Sequence, residues 1–372
     1  MGEKIRILHV AQAAGGVDCY IRMLLKYLDK NKFENILVCS QDFCREDYDD
    51  LVSNFEQIEM KRAIGWNDVT AIVEVRKLIK YYKPDIVYAH SSKAGAIVRV
   101  ADIGMKNYCI YNPHGWAFNM RCSNKKKILY TVIEKLAAHF CDRIICISDA
   151  EKQSALKKHI CHENKLQVIF NGVDIEAYKN GVHGTIKRKD LDIPDDAFVV
   201  GMVGRISPQK APDVFIKAAR MIKEIIPNSH FIIVGNGEQE NDIRKYAEEN
   251  GFSDSLHITG WVENPLNYME LFDVACLLSR WEGFGLVLPE SMMAGKPIVA
   301  SRVDAIPDIV KDGENGLLVE IDDVEETVQA IMTIYQNPQI RRNIIKGGAQ
   351  SIKLFDAKRV SLEHQIIFES IV

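Results

Sequence analysis

Glu282-Gly283-Phe284-Gly285-Leu286-Val287-Leu288-Pro289-Glu290 lies between two short apolar runs, Val274–Leu278 and Ile298–Ser301. The stretch reads as a glycine turn opening a helix near Leu288–Ala294. Strand, turn, helix and strand in that order make one unit of a parallel α/β sheet. A turn entering a helix presents backbone N–H groups and the positive end of the helix dipole, which suits a phosphate. Glu282 and Glu290 would repel a phosphate, so they are better placed to accept hydrogen bonds from sugar or ribose hydroxyls on either side of it. A nucleotide-sugar carries hydroxyls on both sides of a diphosphate. Taken alone, the stretch also fits an ordinary helix start with acidic residues in its first turn.

The same rhythm runs outward in both directions. Strands are expected at Phe198–Val203, His230–Val234, Leu256–Thr259 and Gly316–Val319, with helices near Ala211–Ile226, Gln239–Asn250, Leu266–Leu271 and Glu325–Gln336. The front half repeats it, with strands at Ile5–Ala11, Asn35–Ser40, Ile86–Ala89, Cys109–Asn112, Arg143–Ile147 and Leu166–Ile169. Helices fall between them, near Asp18–Asp29, Asn67–Tyr82, Lys93–Gly104, Lys125–Phe140 and Ala150–Lys158. The polar stretch 181–195 lacks apolar periodicity and reads as a linker. The expected organisation is a first domain over 1–180, a second over 196–354, and a closing helix over 355–372 that returns to the first. Both domains read as doubly wound parallel sheets, which bind ligands at the carboxyl ends of their strands.

Length and composition agree with two buried cores: 372 residues, 47% apolar and 26% charged. No apolar run approaches the roughly 18 residues needed to span a bilayer. Arg6 stands where a myristoylation signal at Gly2 would need Ser or Thr, so that signal is rejected. Nine cysteines in no regular framework (Cys19, Cys39, Cys44, Cys109, Cys122, Cys141, Cys146, Cys161 and Cys276) read as free thiols in a reducing cytoplasm. His159, Cys161 and His162 lack a second ligand pair at zinc spacing. Residues 1–190 carry 30 Lys/Arg against 23 Asp/Glu, giving +7, while 191–372 carry 17 against 28, giving -11. A basic front half fits an anionic partner surface, or simply uneven scatter of charge.

Several turns follow strands and carry chemistry. Gly15-Gly16-Val17 follows the first strand; Cys19-Tyr20 stands where a dinucleotide fingerprint would place a third glycine, which argues against NAD. His114-Gly115 ends a front-half strand and leads into Trp116-Ala117-Phe118. Gly204-Arg205-Ile206-Ser207-Pro208-Gln209-Lys210 sets a guanidinium fork and an ammonium on one loop, the chemistry for a diphosphate leaving group. Gly235-Asn236-Gly237-Glu238 follows the next strand.

In order along the chain, Gly15-Gly16, His114-Gly115, Asn171-Gly172-Val173-Asp174, Gly204-Arg205 with Lys210, Gly235-Asn236-Gly237-Glu238, the Glu282–Glu290 spacing and Ala294-Gly295-Lys296-Pro297-Ile298-Val299-Ala300 resemble the retaining glycosyltransferases of the GT-B fold, specifically glycosyltransferase family 4. The resemblance implies two Rossmann-like domains facing a central cleft. It implies that Glu282 meets hydroxyls of the transferred sugar and Glu290 the ribose, while Arg205 and Lys210 neutralise the departing diphosphate. His114 would stand beside the reacting centre. Gly15, Gly16, Asn171, Gly204, Gly235, Phe284, Gly285, Leu286 and Val287 would line the donor site, with Val262 in the segment that holds the base through its backbone. No metal or other cofactor is implied, because the cationic pair does the work of Mg²⁺. Asp304-Ala305-Ile306-Pro307-Asp308 departs from the Gly-Gly-Ile-Pro-Glu of many relatives. Asp47-Tyr48-Asp49, in an acidic run, reads as solvated loop rather than as a metal motif.

The His-Gly-Trp-Ala-Phe form resembles enzymes of bacterial capsule, exopolysaccharide and O-antigen synthesis, whose acceptor is a sugar on a polyprenyl diphosphate or a growing glycan. The implied reaction moves a sugar, from UDP-sugar for preference, to an acceptor hydroxyl with retention. GDP-mannose as donor, a UDP-sugar 2-epimerase and a non-catalytic partner subunit are the alternatives. The basic run Arg121–Lys127 precedes a helix with Ile128, Leu129, Val132, Ile133, Leu136 and Phe140. That helix is expected either to hold anionic lipid at the inner face of the plasma membrane or to bury its stripe in the core.

Overall fold

The computed structural model describes residues 3–61, 65, 67–120, 122–181 and 183–372. Gly2, and Arg121 of the basic run, lie outside the described residues. The chain divides into two compact units: one takes in the chain up to Asp174 together with Asp356–Val372, and the other is Ile175–Phe355.

The first unit is built on strands β1 (Ile5–Ala11), β2 (Phe33–Cys39), β3 (Asn54–Gln57), β4 (Ile86–His90), β5 (Tyr108–Asn112), β6 (Arg143–Cys146) and β7 (Leu166–Val168). Helices α1 (Gly16–Tyr27), α2 (Asn67–Tyr82), α3 (Ser92–Ala101), α4 (Asn124–Ala137) and α5 (Asp149–Lys157) alternate with them. All strand pairs are parallel, in the order β3-β2-β1-β4-β5-β6-β7. Apolar runs such as Ile7, Leu8 and Val10 are buried on both faces, as a sheet covered by helices requires.

In the second unit, α6 (Ile175–Asn180) leads to β8 (Phe198–Val203), α7 (Pro212–Ile225), β9 (Ser229–Val234), α8 (Glu240–Glu249), β10 (Leu256–Ile258), α9 (Leu266–Met269) and β11 (Val274–Leu277). Then come α10 (Val287–Met293), β12 (Ile298–Ser301), α11 (Ile306–Ile309), β13 (Leu317–Val319), α12 (Val324–Gln336) and α13 (Pro338–Ser351). Its parallel sheet runs β10-β9-β8-β11-β12-β13. The order reverses between β1 and β4 in one sheet and between β8 and β11 in the other. Those switch points open crevices at the strands' carboxyl ends.

The stretch expected as a linker belongs instead to the second unit. The Arg188 guanidinium donates to the carbonyls of Asp195, Ala197 and Leu271 and to the Asp273 carboxylate, at 2.7 to 3.1 Å. Ile193 and Ala197 are buried. A few apolar residues and one arginine anchor this polar stretch, which leaves no periodic signal. The break in the chain falls after Asp174, and helix α14 (Ala357–Ile371) packs against α1 in the first unit. The acidic run is not wholly solvated either: Tyr48 is fully buried and donates to Asp18 Oδ1 at 2.6 Å.

Helix α4 is turned inside out. Its buried residue is Glu134, which pairs with the fully buried Arg99 at 2.8 Å and accepts from the Tyr111 hydroxyl at 2.9 Å. Ile128 is 65% and Leu136 63% exposed, and Leu129, Val132 and Phe140 beyond the helix end are exposed with them. The stripe is therefore not core.

Candidate functional site

The residues singled out in the sequence fall into two groups, one on each unit, and nearly all follow the carboxyl ends of strands. On the second unit, the loop after β8 and the turn after β9 are knitted together. Gly204 N–H donates to Val234 O and Ile206 N–H to Asn236 O, at 2.9 and 2.8 Å. At Gly235 φ is +141°, and a Cβ there would lie 2.1 Å from the Gly204 carbonyl oxygen, so only glycine fits. A bridge from Gly235 to Gly260 brings the Trp261-Val262 segment alongside. The Val262 side chain packs on the core, which leaves its backbone for any ligand.

Across the switch point, the loop after β11 carries Glu282. Lys210 Nζ reaches Glu282 Oε2 at 2.5 Å, and Ser279 Oγ donates to the same oxygen at 3.0 Å. Both partners of the pair are mostly buried. Burial of an ion pair is stabilising only when the geometry satisfies the remaining polar groups. Here the surrounding loops supply that geometry. Glu282 N–H donates to Asp304 Oδ2 at 2.9 Å. Arg280 binds Asp213, Asp322 and the Pro208 carbonyl at 2.6 to 2.9 Å, while its own N–H donates to Gln209 O. Arg280 thus clamps the Arg205–Lys210 loop to the Glu282 loop.

Glu290 stands in the first turn of α10 and is only partly accessible. Burial pushes its carboxyl up to about 7, and the nearby Lys210 charge opposes the rise. Lys210 thus pairs with Glu282 and lies near enough to Glu290 for its charge to be felt there. Arg205 is exposed and, among the described residues, has no ion pair. Gly285, at φ +83°, turns the chain so that Leu286 caps α10, and the N–H groups of Leu286 and Val287 precede its first internal bond, from Leu288 N–H to Gly285 O. Phe284 does something else: its ring is buried against Phe355 with centroids 5.8 Å apart, so its side chain is core.

On the first unit, Gly15 caps α1 at φ +98° and Gly16 opens the helix, with no atoms near either glycine's Cβ position. His114 sits just past β5 in the left-handed region at φ +50°, held by its N–H on Asn112 Oδ1 at 2.9 Å. The Tyr20 ring meets it edge-on at 4.6 Å. Gly115 N–H and Ile147 N–H both donate to the Glu151 carboxylate at 2.7 Å, which fixes the turn behind it. Burial lowers the His114 pKa to about 3, so the ring is neutral at pH 7. Asn171 is buried, and its Oδ1 has no partner among the described residues; Ser91 Oγ, after β4, shares that condition. An unmade bond of this kind costs about 1–3 kcal/mol unless a ligand or water completes it.

Sequence reading missed Ser279 and Arg280, which hold Glu282 and its loop, and the part Asp304 plays beside them; it also missed His9, which contacts His90, and His90, which contacts His114. His90 could have been found by the signal that found His114, a histidine at the carboxyl end of a strand. Among the described residues, no three His, Cys, Asp or Glu side chains are grouped to hold a metal, and no helix is long and apolar enough to cross a membrane.

Comparison with known proteins gives this geometry its context. The family described as glycosyl transferases group 1 matches residues 185–351, and glycosyltransferase family 4 matches residues 14–177. An Escherichia coli protein named UDP-Gal:alpha-D-GlcNAc-diphosphoundecaprenol alpha-1,3-galactosyltransferase is 32% identical over 369 residues, 95% of either chain. The Staphylococcus aureus capsular polysaccharide biosynthesis glycosyltransferase CapM is 25% identical over 362 residues, 94% of this chain and 92% of its own. Among solved structures, Anabaena HepE in complex with UDP and glucose matches with a TM-score of 0.84 at 22% identity, over 98% of this chain and 99% of its own. Two parallel Rossmann-like sheets, the ordered turns and these relatives agree, and the chain belongs to glycosyltransferase family 4 and has the GT-B fold.

Proposed function

We propose that this glycosyltransferase moves a sugar from a UDP-sugar to a hydroxyl of a lipid-linked glycan acceptor, with the anomeric configuration retained, in bacterial surface polysaccharide synthesis. The observation that carries the reading is the Lys210–Glu282 pair, with Glu290 near Lys210, around the Gly283–Val287 turn at the second sheet's switch point. Lys210 and the exposed Arg205 stabilise charge as it develops on the diphosphate. Glu282 and Glu290 accept from hydroxyls of the transferred sugar and of the ribose. His114, neutral at pH 7, meets the sugar. No nucleophile with a dedicated base partner stands in either group, so a double displacement is not favoured. The acceptor oxygen bonds to the anomeric carbon as the bond to the diphosphate breaks on the same face, and the hydroxyl proton passes to the departing phosphate oxygen. In this reading the two cations do the work of a divalent metal.

The donor rests on support from relatives: the name of the Escherichia coli protein includes UDP-Gal, and HepE was solved with UDP. The same Escherichia coli name supports a sugar on diphosphoundecaprenol as acceptor. The uncovered apolar face of α4, with Lys125, Lys126 and Lys127 at its start, supports docking on anionic lipid at the cytoplasmic face of the membrane, where such an acceptor resides.

The test is a panel of UDP- and GDP-sugars with the purified protein and a short lipid-diphosphate sugar, with product anomericity read by NMR and EDTA in a parallel arm. Retained product from a UDP-sugar in both arms is expected. Inverted product, or activity lost with EDTA and restored by Mn²⁺, overturns the mechanism. Epimerised donor formed without any acceptor would replace the proposal with a UDP-sugar 2-epimerase.

A further inference from the structure

Three imidazoles stand in a row through the first sheet. His9, on β1, and His90, at the end of β4, are fully buried, and His114 follows β5. His9 Nδ1 lies 3.1 Å from His90 Nε2, and His90 Nδ1 lies 3.2 Å from His114 Nε2. The rings stack, with centroids 5.4 and 5.5 Å apart and planes 15° and 29° from parallel. At the inner end, His9 Nε2 lies 3.2 Å from Asn35 Oδ1.

A neutral imidazole has one donor nitrogen and one acceptor nitrogen. Rings joined nitrogen to nitrogen must therefore all point the same way, and whatever terminates the row sets the direction. With the Asn35 amide oriented as it stands, its oxygen faces the ring and only accepts, so His9 carries its proton on Nε2. His9 Nδ1 then accepts from His90 Nε2–H, and His90 Nδ1 accepts from His114 Nε2–H. The last ring is left with a bare Nδ1, which has no partner among the described residues. We propose that His90 and His9 are positioning residues that fix the tautomer and the plane of His114, so that its Nδ1 accepts a hydrogen bond from a substrate hydroxyl.

The row works only while uncharged: a proton added at His114 Nδ1 would turn the free acceptor into a donor, and one added at His9 Nδ1 or His90 Nδ1 would set N–H against N–H at a junction. Burial keeps it so: His9 is lowered to about 4, His114 to about 3, and His90 well below the ordinary histidine value. The Tyr20 edge and the Asn112 bond hold His114 from the other sides. A sugar hydroxyl that donates to Nδ1 keeps its own oxygen free to accept elsewhere, so the tautomer specifies which hydroxyl orientation is bound.

This inference rests on His114 being the residue that meets substrate, and the experiment separates the two. In the wild-type chain, labelled with ¹⁵N at histidine, ring-nitrogen shifts report the tautomer, and N–N couplings across the hydrogen bonds report the junctions. All three rings protonated on Nε2, with coupling from His114 to His90 and from His90 to His9, is the expected result. A mixed tautomer at His114, or a proton on its Nδ1, overturns the proposal whatever the activity. Turnover then tests its use. His90→Phe removes the acceptor that His114 needs, whereas His90→Asn keeps an oxygen near the Nδ1 position. kcat should fall about tenfold in the Phe variant, the low end of what the partners that orient metal-bound histidines contribute, with donor KM little changed and partial recovery in the Asn variant. Equal kcat in both variants and wild type would leave the row without a catalytic purpose and sink the proposal. His114→Ala with full activity would instead sink the reading beneath it.

Discussion

The carboxyl ends of the two sheets present opposite chemistries on the same topology. The first sheet ends in neutral rings (His90 and His114, backed by His9) whose charge burial has removed. The second ends in Arg205, Lys210 and Glu282, with the Lys210–Glu282 pair mostly buried. A doubly wound sheet supplies a crevice, and the residues after its strands decide what the crevice can hold. Neutral donors and acceptors suit hydroxyls. Fixed cations suit a diphosphate.

The contrast has a consequence for stability that acid should expose. A histidine whose folded pKa is depressed contributes stability that is present above its unfolded pKa, near 6.5, and lost as pH falls through the folded value. His9 and His364 are lowered to about 4 and His114 to about 3, with His90 also well below normal, all four by burial in the first unit. The second unit has the His230–His257 pair, lowered in the same direction. Between pH 6.5 and 4 the first unit should therefore lose on the order of several kcal/mol, and more than the second. Peptide-resolved hydrogen exchange at pH 7 and pH 5 would read it in β1, β4 and β5. Equal loss of protection in the two sheets would break the comparison.

The charged edge should respond most in turnover. Lys210→Ala and Arg205→Ala should each lower kcat by roughly 10²-fold, the usual cost of one donor to developing charge. Lys210→Ala also leaves Glu282 with Ser279 as its remaining side-chain partner, so donor KM should rise more than in Arg205→Ala. Steady-state kinetics decide it; unchanged kcat in both variants would remove the catalytic role of this edge.

A smaller effect concerns the one carboxyl on that edge that is pushed up strongly. With a folded pKa of about 7 against 4.5, Glu290 retains its proton while the unfolded chain has lost its own, so it subtracts stability as pH rises from about 4.5 to 7. Glu290→Gln should be about 1–3 kcal/mol more stable than wild type at pH 8, with little difference at pH 4.5, while donor KM rises. Urea unfolding at the two pH values checks it. A variant that is less stable at pH 8 would show that the Glu290 charge is held by partners rather than merely desolvated.

How much of this was legible follows from where each signal resides. Strands buried on both faces leave continuous apolar runs, so Phe198–Val203 and Ile298–Ser301 were read to the residue. β3 was missed because Asn54-Phe55-Glu56-Gln57 is an edge strand that leaves both ends of the run exposed. Site residues on glycine turns after strands were visible, because such turns have few other uses. The part Asp304 plays was not, since its bond to the Glu282 N–H joins loops far apart in sequence. The row of imidazoles was hidden for a similar reason: it depends on β1 lying beside β4 and β4 beside β5, an order that no single sequence spells out.

The smallest effect tests a further asymmetry, between helices that read alike. In α7, Val214, Phe215, Ala218, Ala219 and Ile222 are buried, as an apolar stripe ordinarily requires. In α4 the stripe faces outward, because Arg99 inside the fold draws Glu134 to it and fixes the helix's rotation. Pairing the two charges inside turns Ile128, Leu129, Val132 and Leu136 out beside Lys125, Lys126 and Lys127. If that face meets anionic lipid, Ile128→Asp with Leu136→Asp should abolish flotation with phosphatidylglycerol vesicles, and neutralising the three lysines should weaken it by about 1 kcal/mol per cation. Neither change touches the Arg99–Glu134 pair, so the melting temperature should hold. Wild-type protein that fails to float with those vesicles would remove lipid as the partner, while Arg99 and Glu134 would still account for the helix's inverted rotation.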